Sequence, residues 1–361
     1  MMKVSGSYRR LAFVLLLAAL AGCEREPVAF DESRAIRFDA RPEVSSAFTR
    51  AGEDVPDGPE YLYTDGNRIG VFATWKSSDG VSTDVFSKIP VTYDGGDWIY
   101  SPLKYWRRGG TYYFRAIFPY EVNTQYGTDG TRLVTSYSMF ADNYDLMVAG
   151  HVRDMAQDDM SAVPLVFKHA CAAVRVLFRK GSGDANRHYL LNSFKMKYLR
   201  SMGVLVHDQD DVTLDSWQSA EFRSPSVLSW TASSAAGYID VPESYTDFKQ
   251  VNSHGWSQWH YVIPQNLNMD DGNHPALEFS VHVQQFLDDG ETLSYQTDEP
   301  VSTTLRLPVT YEDEDHQVHD YIWEPGKTYT YFVQIQAGQA SITVKVSDWD
   351  AYYVYVDDLV F

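Results

Sequence analysis

The amino-acid sequence predicts an all-β protein with two β-sandwich domains. Three observations support this class. Short segments alternate apolar and polar residues with period two, the breaks between them are rich in Gly, Asp, Asn and Ser, and capped helical periodicity is nearly absent. About a dozen short strands separated by turn residues are typical of sandwiches.

The strands are predicted in chain order from this alternation. Ile36, Phe38 and Ala40 alternate with three charged residues, which indicates a half-buried strand. A Gly95-Gly96 turn joins residues 91–93 to 98–100 as a hairpin. Residues 163–178 form the longest apolar run and are interpreted as strand because β-branched residues flank it and Pro164 stands near its start. The other predicted strands are 68–75, 111–120, 145–149, 193–199, 204–207, 259–263, 277–286, 329–335 and 342–346. A polar stretch from His151 to Asp159 places the domain boundary between residues 160 and 161. This gives domains at 51–160 and 161–361, preceded by a tether with a candidate removable strand at 23–50.

The first 22 residues have the pattern of an export signal. Lys3, Arg9 and Arg10 precede an apolar run over residues 11–20, which is too short to span a bilayer. The sequence Leu20-Ala21-Gly22-Cys23 resembles the lipobox of bacterial lipoproteins, and this resemblance implies cleavage between Gly22 and Cys23 and acylation of the Cys23 thiol. An ordinary secretory signal with an incidental cysteine is the alternative. The expected attachment to the membrane is by the lipid anchor only.

The remaining composition narrows the class further. Once Cys23 carries lipid, Cys171 has no intrachain partner, so the core must be held by apolar packing. Without the signal, 27 basic residues face 49 acidic ones, a net charge of about −22. Such a surface repels phosphate backbones, so nucleic acid is not an expected partner.

No catalytic, metal or cofactor motif is found, and the chain is predicted not to be an enzyme. Nucleophile-elbow, metalloprotease, phosphate-loop and dinucleotide patterns are missing from the sequence. The acidic cluster Asp208, Asp210 and Asp211 lacks the glycine and glutamate spacing of a calcium loop, and Glu312–Asp315 is interpreted as a hairpin tip. A surface hydrolase is a third, weaker hypothesis, which needs two carboxylates or a Ser/His pair meeting in a cleft.

Aromatic residues are the one enriched chemical class, with 9 Trp and 25 Tyr. Two groups stand out: Trp256, Trp259 and Tyr261, and Trp98, Tyr100, Tyr105 and Trp106. Exposed rings could stack on sugars, which defines the alternative function of a glycan-binding surface lipoprotein. Cores and cross-strand pairs of sandwiches account for the same rings.

Several segments together resemble the fimbrillin family, the type V pilins and related surface lipoproteins. The segments that carry this resemblance, besides the lipobox, are Ile69–Phe72, Trp98–Tyr100, Tyr105-Trp106, Tyr113–Ala116, Asp145–Met147, Phe167–Ala170, Val262–Gln265, Trp323–Tyr329 and Trp349. The resemblance implies transthyretin-like sandwiches, a structural or adhesive fimbrial role, and assembly with other fimbrial subunits by strand exchange. A host or bacterial surface receptor or glycan is a further candidate partner. It also implies that an arginine-specific protease cuts between Arg50 and Ala51 and releases the strand around residues 36–40. The alternative is that Arg50 is an ordinary loop arginine.

The last eleven residues suit the role of donor strand in such an exchange. Tyr352, Val354, Val356 and Val360 share one face of an alternating segment, 351–361, that Asp358 interrupts. An apolar edge strand needs a covering partner, and a neighbour's sheet can supply one. The alternative is that residues 351–361 fold back on their own domain. The expected location is the outer membrane, lipid-anchored and surface-exposed, or the fimbrium after processing.

Overall fold

A computed structural model describes most of the chain between residues 32 and 348. The described residues are 32–43, 62–127, 131–140, 144–157, 159–208, 211–219, 223–224, 227–231, 237–245, 247, 259–268, 272–313, 315–337 and 339–348. The chain divides into two units, residues 1–35 and residues 36–361, and every strand given below lies in the second. Strands form nearly all of the regular structure of the described residues, so the predicted all-β class is confirmed.

The first nine strands lie between residues 38 and 169. They are β1 Phe38–Pro42, β2 Arg68–Lys76, β3 Ser82–Asp94, β4 Asp97–Ile99, β5 Thr111–Phe118, β6 Thr124–Tyr126, β7 Leu133–Ser138, β8 Met147–Asp154 and β9 Val163–His169. Seven of them close into a barrel in the order β1-β4-β3-β2-β5-β8-β9. Closure leaves this sheet without an unpaired edge.

The barrel strands have apolar residues on both faces, and the packing explains why. Val71, Ala73 and Phe114 point into the barrel, where they join one hydrophobic cluster. Phe72 and Ile117, on the same strands, join a second cluster shared with the rest of the fold. A strand covered on both sides is a continuous apolar run in the sequence, which is why β2 and β5 alternate weakly.

The remaining eighteen strands form open sheets. They are β10 Ala172–Lys180, β11 Arg187–Lys197, β12 Leu199–Arg200, β13 Met202–His207, β14 Trp217–Ser219, β15 Arg223–Ser224, β16 Val227–Thr231, β17 Ile239–Asp240, β18 His260–Val262, β19 Gln265–Asn266, β20 Ala276–Phe286, β21 Leu293–Gln296, β22 Val301–Arg306, β23 Thr310–Glu312, β24 Val318–Asp320, β25 Ile322–Trp323, β26 Lys327–Gln336 and β27 Gln339–Asp348. Short 3-10 turns occur at Glu32–Arg34, Met155–Gln157 and Leu214–Ser216, among others.

Two of these sheets pack face to face. One has the order β18-β10-β26-β27, and the other is built on β16-β11-β20-β21, with β17 beside β11 and β22 beside β20. Val176 and Tyr331 from the first sheet and Leu191 and Phe279 from the second share one hydrophobic cluster. A third sheet, β14-β13-β7-β6, contributes Leu205 and Tyr137 to the same cluster. Buried apolar area of this kind is the main stabilising term where disulfides are missing.

The predicted glycine turn is observed in the structure, and the predicted strand 163–178 is divided. Gly95 and Gly96 have positive φ angles of 58° and 107° between β3 and β4, as the predicted hairpin turn requires. The run 163–178 is not one strand: β9 ends at His169 and β10 begins at Ala172. Each half pairs in parallel with a different partner, β1 or β26, so the chain must change sheets at Cys171, which is fully buried. The domain boundary between residues 160 and 161 remains a prediction.

Candidate functional site

The first strand of the barrel is the candidate functional site. In β1 the predicted alternation is observed: Ile36, Phe38 and Ala40 are 0%, 6% and 1% exposed, while Arg37 and Asp39 point to solvent. The strand itself runs over Phe38–Pro42, two residues later than predicted, with the predicted face inward. We call the space that it occupies between β4 and β9 the β1 slot.

The two sides of the β1 slot hold the strand by different means. On the β9 side β1 runs in parallel, from Phe38 opposite Val163 to Pro42 opposite Phe167. The Val163 amide donates to the Arg37 carbonyl at 2.7 Å, and the Glu43 amide donates to the Phe167 carbonyl at 2.7 Å. On the β4 side the only register pair is Phe38 with Trp98. The strand therefore has one full ladder and one short one.

Side-chain donors replace the missing ladder on the β4 side. The Trp98 indole Nε1 donates to the Ala40 carbonyl at 3.0 Å, and the Tyr100 hydroxyl donates to the Ile36 carbonyl at 2.7 Å. Burial raises the pKa of Tyr100 to about 12, so the hydroxyl keeps the proton that it donates. The Ile36 amide also donates to the Lys104 carbonyl at 2.8 Å. These bonds satisfy the carbonyls that a longer β4 would otherwise have paired.

Phe38 fills an aromatic pocket at the centre of the β1 slot. Its ring centroid lies 5.3 Å from Phe86, 5.7 Å from Tyr100 and 6.1 Å from Phe114. The Phe86 and Phe114 contacts are edge-on, which is a favoured arrangement for aromatic pairs. This ring is the largest side chain that β1 contributes to the barrel core.

The position of β1 in the chain means that one cut can detach it from the strands that follow. It is the first strand of the described residues, and β2 begins only at Arg68. Arg50 and Ala51 lie between the two, outside the described residues, as do Gly22 and Cys23. A cut at Arg50 would separate β1 from every other strand while leaving it bound by hydrogen bonds and packing.

The predicted donor segment lies beyond the last described residue. Tyr352, Val354, Val356 and Val360 are outside the described residues, and β27, which ends at Asp348, is the edge strand of its sheet there. A groove of about 960 Å³ runs beside β27, lined by Tyr311, Val318, His319, Tyr321, Val344 and Val346, among others. The last described residue thus belongs to a strand at the edge of its sheet.

The aromatic residues considered for glycan binding are placed differently. Trp256 is outside the described residues. The guanidinium of the buried Arg175 lies 4.2 Å from the centre of the Trp259 ring, and Tyr261 is only 6% exposed. Trp98 and Trp106 are also buried. One face of Trp259 is therefore occupied by its own domain.

Two buried histidines were not singled out by sequence reasoning. His169 Nδ1 lies 2.8 Å from the Asp145 carboxylate, and both side chains are buried. Burial and the nearby Arg115 guanidinium lower the pKa of His207 to about 3. The burial of these histidines could not be predicted from neighbouring residues, because it depends on strands that lie far apart in the chain.

Neither a metal site nor a membrane-spanning helix is found among the described residues. They contain no group of three or more His, Cys, Asp or Glu residues arranged to hold a metal ion. They also contain no helix with the length and hydropathy to cross a bilayer.

Comparison with known proteins places the chain in a family. A family model described as fimbrillin-like matches residues 49–349. The chain belongs to the fimbrillin-like family. No curated protein matches it.

Solved structures share the fold of this fimbrillin-like chain. A fimbrial protein from Bacteroides vulgatus is 14% identical with a TM-score of 0.50, and the match covers 88% of this chain and 99% of that one. A candidate cell adhesion protein from Bacteroides uniformis is 13% identical with a TM-score of 0.50, covering 87% and 99%. Another from Parabacteroides distasonis is 10% identical with a TM-score of 0.51, covering 90% and 99%. At these identities the likeness concerns the fold.

Proposed function

We propose that this fimbrillin-like chain is a non-enzymatic subunit of a cell-surface fimbria or adhesive structure that assembles by strand exchange. The observation that carries the proposal is β1. It is the first of the described strands, and it closes the barrel between β4 and β9. The segment that joins it to β2 contains Arg50. The family assignment and the fimbrial protein among its structural neighbours support the same role.

Maturation is proposed in four steps. The signal peptide is removed at Gly22, Cys23 is lipidated, and the protein reaches the outer membrane on its lipid anchor. A protease then cuts between Arg50 and Ala51, and β1 leaves together with the lipidated tether. The opened slot exposes Phe86 and Phe114, whose apolar surface strongly favours a new occupant.

The proposed occupant is a strand from the C-terminal region of another subunit. Residues 351–361 are the donor candidate in this chain, because their alternation suits a strand with one buried face. Burying four such side chains at ~100 Å² each gives roughly 10 kcal/mol at ~25 cal/mol per Å², before the cost of ordering the strand. A subunit whose slot and tail engage different neighbours forms a linear polymer.

The first experiment reads the mature N-terminus of surface-exposed material by mass spectrometry. The proposal expects a start at Ala51, and Arg50→Lys should shift that start to lipidated Cys23. Arg41→Lys, on the solvent face of β1, is the matched control and should leave processing unchanged. Recovery of Cys23 as the only start in the unmodified protein would contradict the processed form.

The second experiment tests the donor segment. The proposal expects a ladder of higher oligomers when the unmodified protein is run on electrophoresis without boiling. Deletion of residues 351–361 should abolish this ladder, while circular dichroism shows that the subunit remains folded. Persistence of the ladder in the deletion variant would rule out this segment as donor.

A further inference from the structure

We propose that the β1 slot selects its incoming strand by side chain, and that it accepts an aliphatic, an aromatic and a small residue at alternate positions. The proposal rests on the proposed function, since the occupant is a strand supplied by a neighbouring subunit. It adds which strand the slot accepts and in which register the strand binds.

The register of the incoming strand follows from the hydrogen-bond donors of the slot, two from side chains and one from the backbone. The Tyr100 hydroxyl and the Trp98 indole bind the carbonyls of residues 36 and 40, which are four residues apart on the same edge of β1. The Val163 amide on β9 binds the Arg37 carbonyl on the opposite edge. Every polypeptide has these carbonyls, so the three donors can hold any strand that runs as β1 does, parallel to β9, without reading its sequence.

Side-chain selection comes from the inward positions of β1. Ile36 is fully buried, and Phe38 is enclosed by Phe86, Phe114 and Tyr100 with ring separations of 5.3 to 6.1 Å. An aliphatic side chain in place of Phe38 would leave these three rings facing a void. Voids in a packed core are destabilising because the surrounding atoms collapse only in part.

The third position requires a small residue for the opposite reason. Ala40 is 1% exposed, its carbonyl is bound by the Trp98 indole, and it stands opposite the fully buried Leu165. A larger side chain would have to displace closely packed core atoms, which costs free energy even when the side chain is apolar. The slot therefore disfavours an incoming strand whose aromatic residue falls at the position of Ala40 and not at that of Phe38.

Applied to residues 351–361, the rule points away from the face predicted from alternation. Tyr352, Val354 and Val356 offer no aromatic residue in the middle position, whereas Leu359 and Phe361 have the spacing of Ile36 and Phe38 and match the first two of the three positions. The partner that fits this slot is thus a neighbouring subunit whose donor strand carries an aliphatic residue and, two positions later, an aromatic residue.

The test uses synthetic peptides, so the protein itself is unchanged between measurements. The full chain carries a specific protease site in place of Arg50 and is cut in solution, which leaves β1 bound without a covalent link. A fluorescent peptide with the sequence of residues 33–43 is exchanged into the slot, and unlabelled peptides compete for it in an anisotropy assay. The competitors are the native sequence and the variants Phe38→Ala, Ala40→Phe and Asp39→Ala, of which the last changes a solvent-facing residue.

We expect the native and Asp39→Ala peptides to compete within about threefold of each other, and the other two to be weaker by about a hundredfold or more. Equal competition by all four peptides would overturn the proposal, and so would failure of the native peptide to enter the cut protein. A different result would contradict the proposed function. If deletion of 351–361 leaves the oligomer ladder intact while the peptides still discriminate, the donor assignment is wrong and the selectivity stands.

Discussion

The substitution Phe38→Ala tests how strongly β1 is held before cleavage. Phe38 is 6% exposed and packs against three aromatic rings, and its removal leaves a void that the closed barrel can fill only in part. Truncation of a buried Phe costs about 3–5 kcal/mol. Because β1 is a terminal strand with a short ladder on one side, we expect this cost to appear as easier local opening of β1.

Hydrogen exchange measured by mass spectrometry reads that opening directly. The Val163 amide donates to β1, so peptides covering β9 report the loss of the strand. A cost of about 3 kcal/mol corresponds to roughly a hundredfold faster exchange when opening is fast. Asp39→Ala is the matched control, because Asp39 lies on the solvent face of the same strand. Equal exchange in the two variants would refute the view that Phe38 packing holds β1 in the slot.

Three further predictions concern the slot and the buried polar groups. Trp98→Phe keeps an aromatic ring but removes the donor to the Ala40 carbonyl, so it should speed exchange in β9 by an amount equivalent to about 1–2 kcal/mol; unchanged exchange would show that the bond is dispensable. The His207 pKa of about 3 lies below its ordinary value near 6.5, so its contribution to stability is complete above about pH 6.5 and declines as pH falls toward 3, by up to about 1.4 kcal/mol per pH unit. Urea midpoints of His207→Gln should depend less on pH over that range, and an identical pH dependence would contradict this assignment. Asp145→Ala leaves the buried His169 without its carboxylate partner and should lower the free energy of unfolding by about 3 kcal/mol, whereas a urea midpoint like that of the unmodified protein would show that the pair contributes little.

Sequence reasoning identified β1 correctly, and the reason is local. A half-buried strand must alternate, and Ile36, Phe38 and Ala40 do so whatever lies beside them. The same logic located the Gly95-Gly96 hairpin, because a tight turn needs residues that tolerate positive φ. It did not separate β9 from β10, because β10 is buried on both faces and the apolar run continues through the buried Ala170 and Cys171, so no polar residue marks the break.

The identity of the slot could not be predicted, because its parts come from distant segments. Trp98 and Tyr100 were noted as members of an aromatic group, of a hairpin and of a family segment, but their roles depend on β4 ending where two side chains can replace a ladder. Phe86 was not singled out, and Phe114 was named only within a segment that carries the family resemblance, since an enclosed phenylalanine and any other core phenylalanine look alike in a sequence. Trp259 drew attention as a sugar platform, and the structure stacks Arg175 on it.

The sequence by itself determined the strand-forming character of this protein, the face of β1 that is buried, and the resemblance that led to its family. These are properties of neighbouring residues and of short motifs, which the chain carries in any conformation. Only the tertiary structure decided that β1 runs parallel to β9 and is held by Trp98 and Tyr100. These two bonds join residues 58 and 64 positions apart, and the pairing with β9 joins residues still more distant in the chain. Such long-range register is set by the packing of the whole barrel, and no local pattern encodes it.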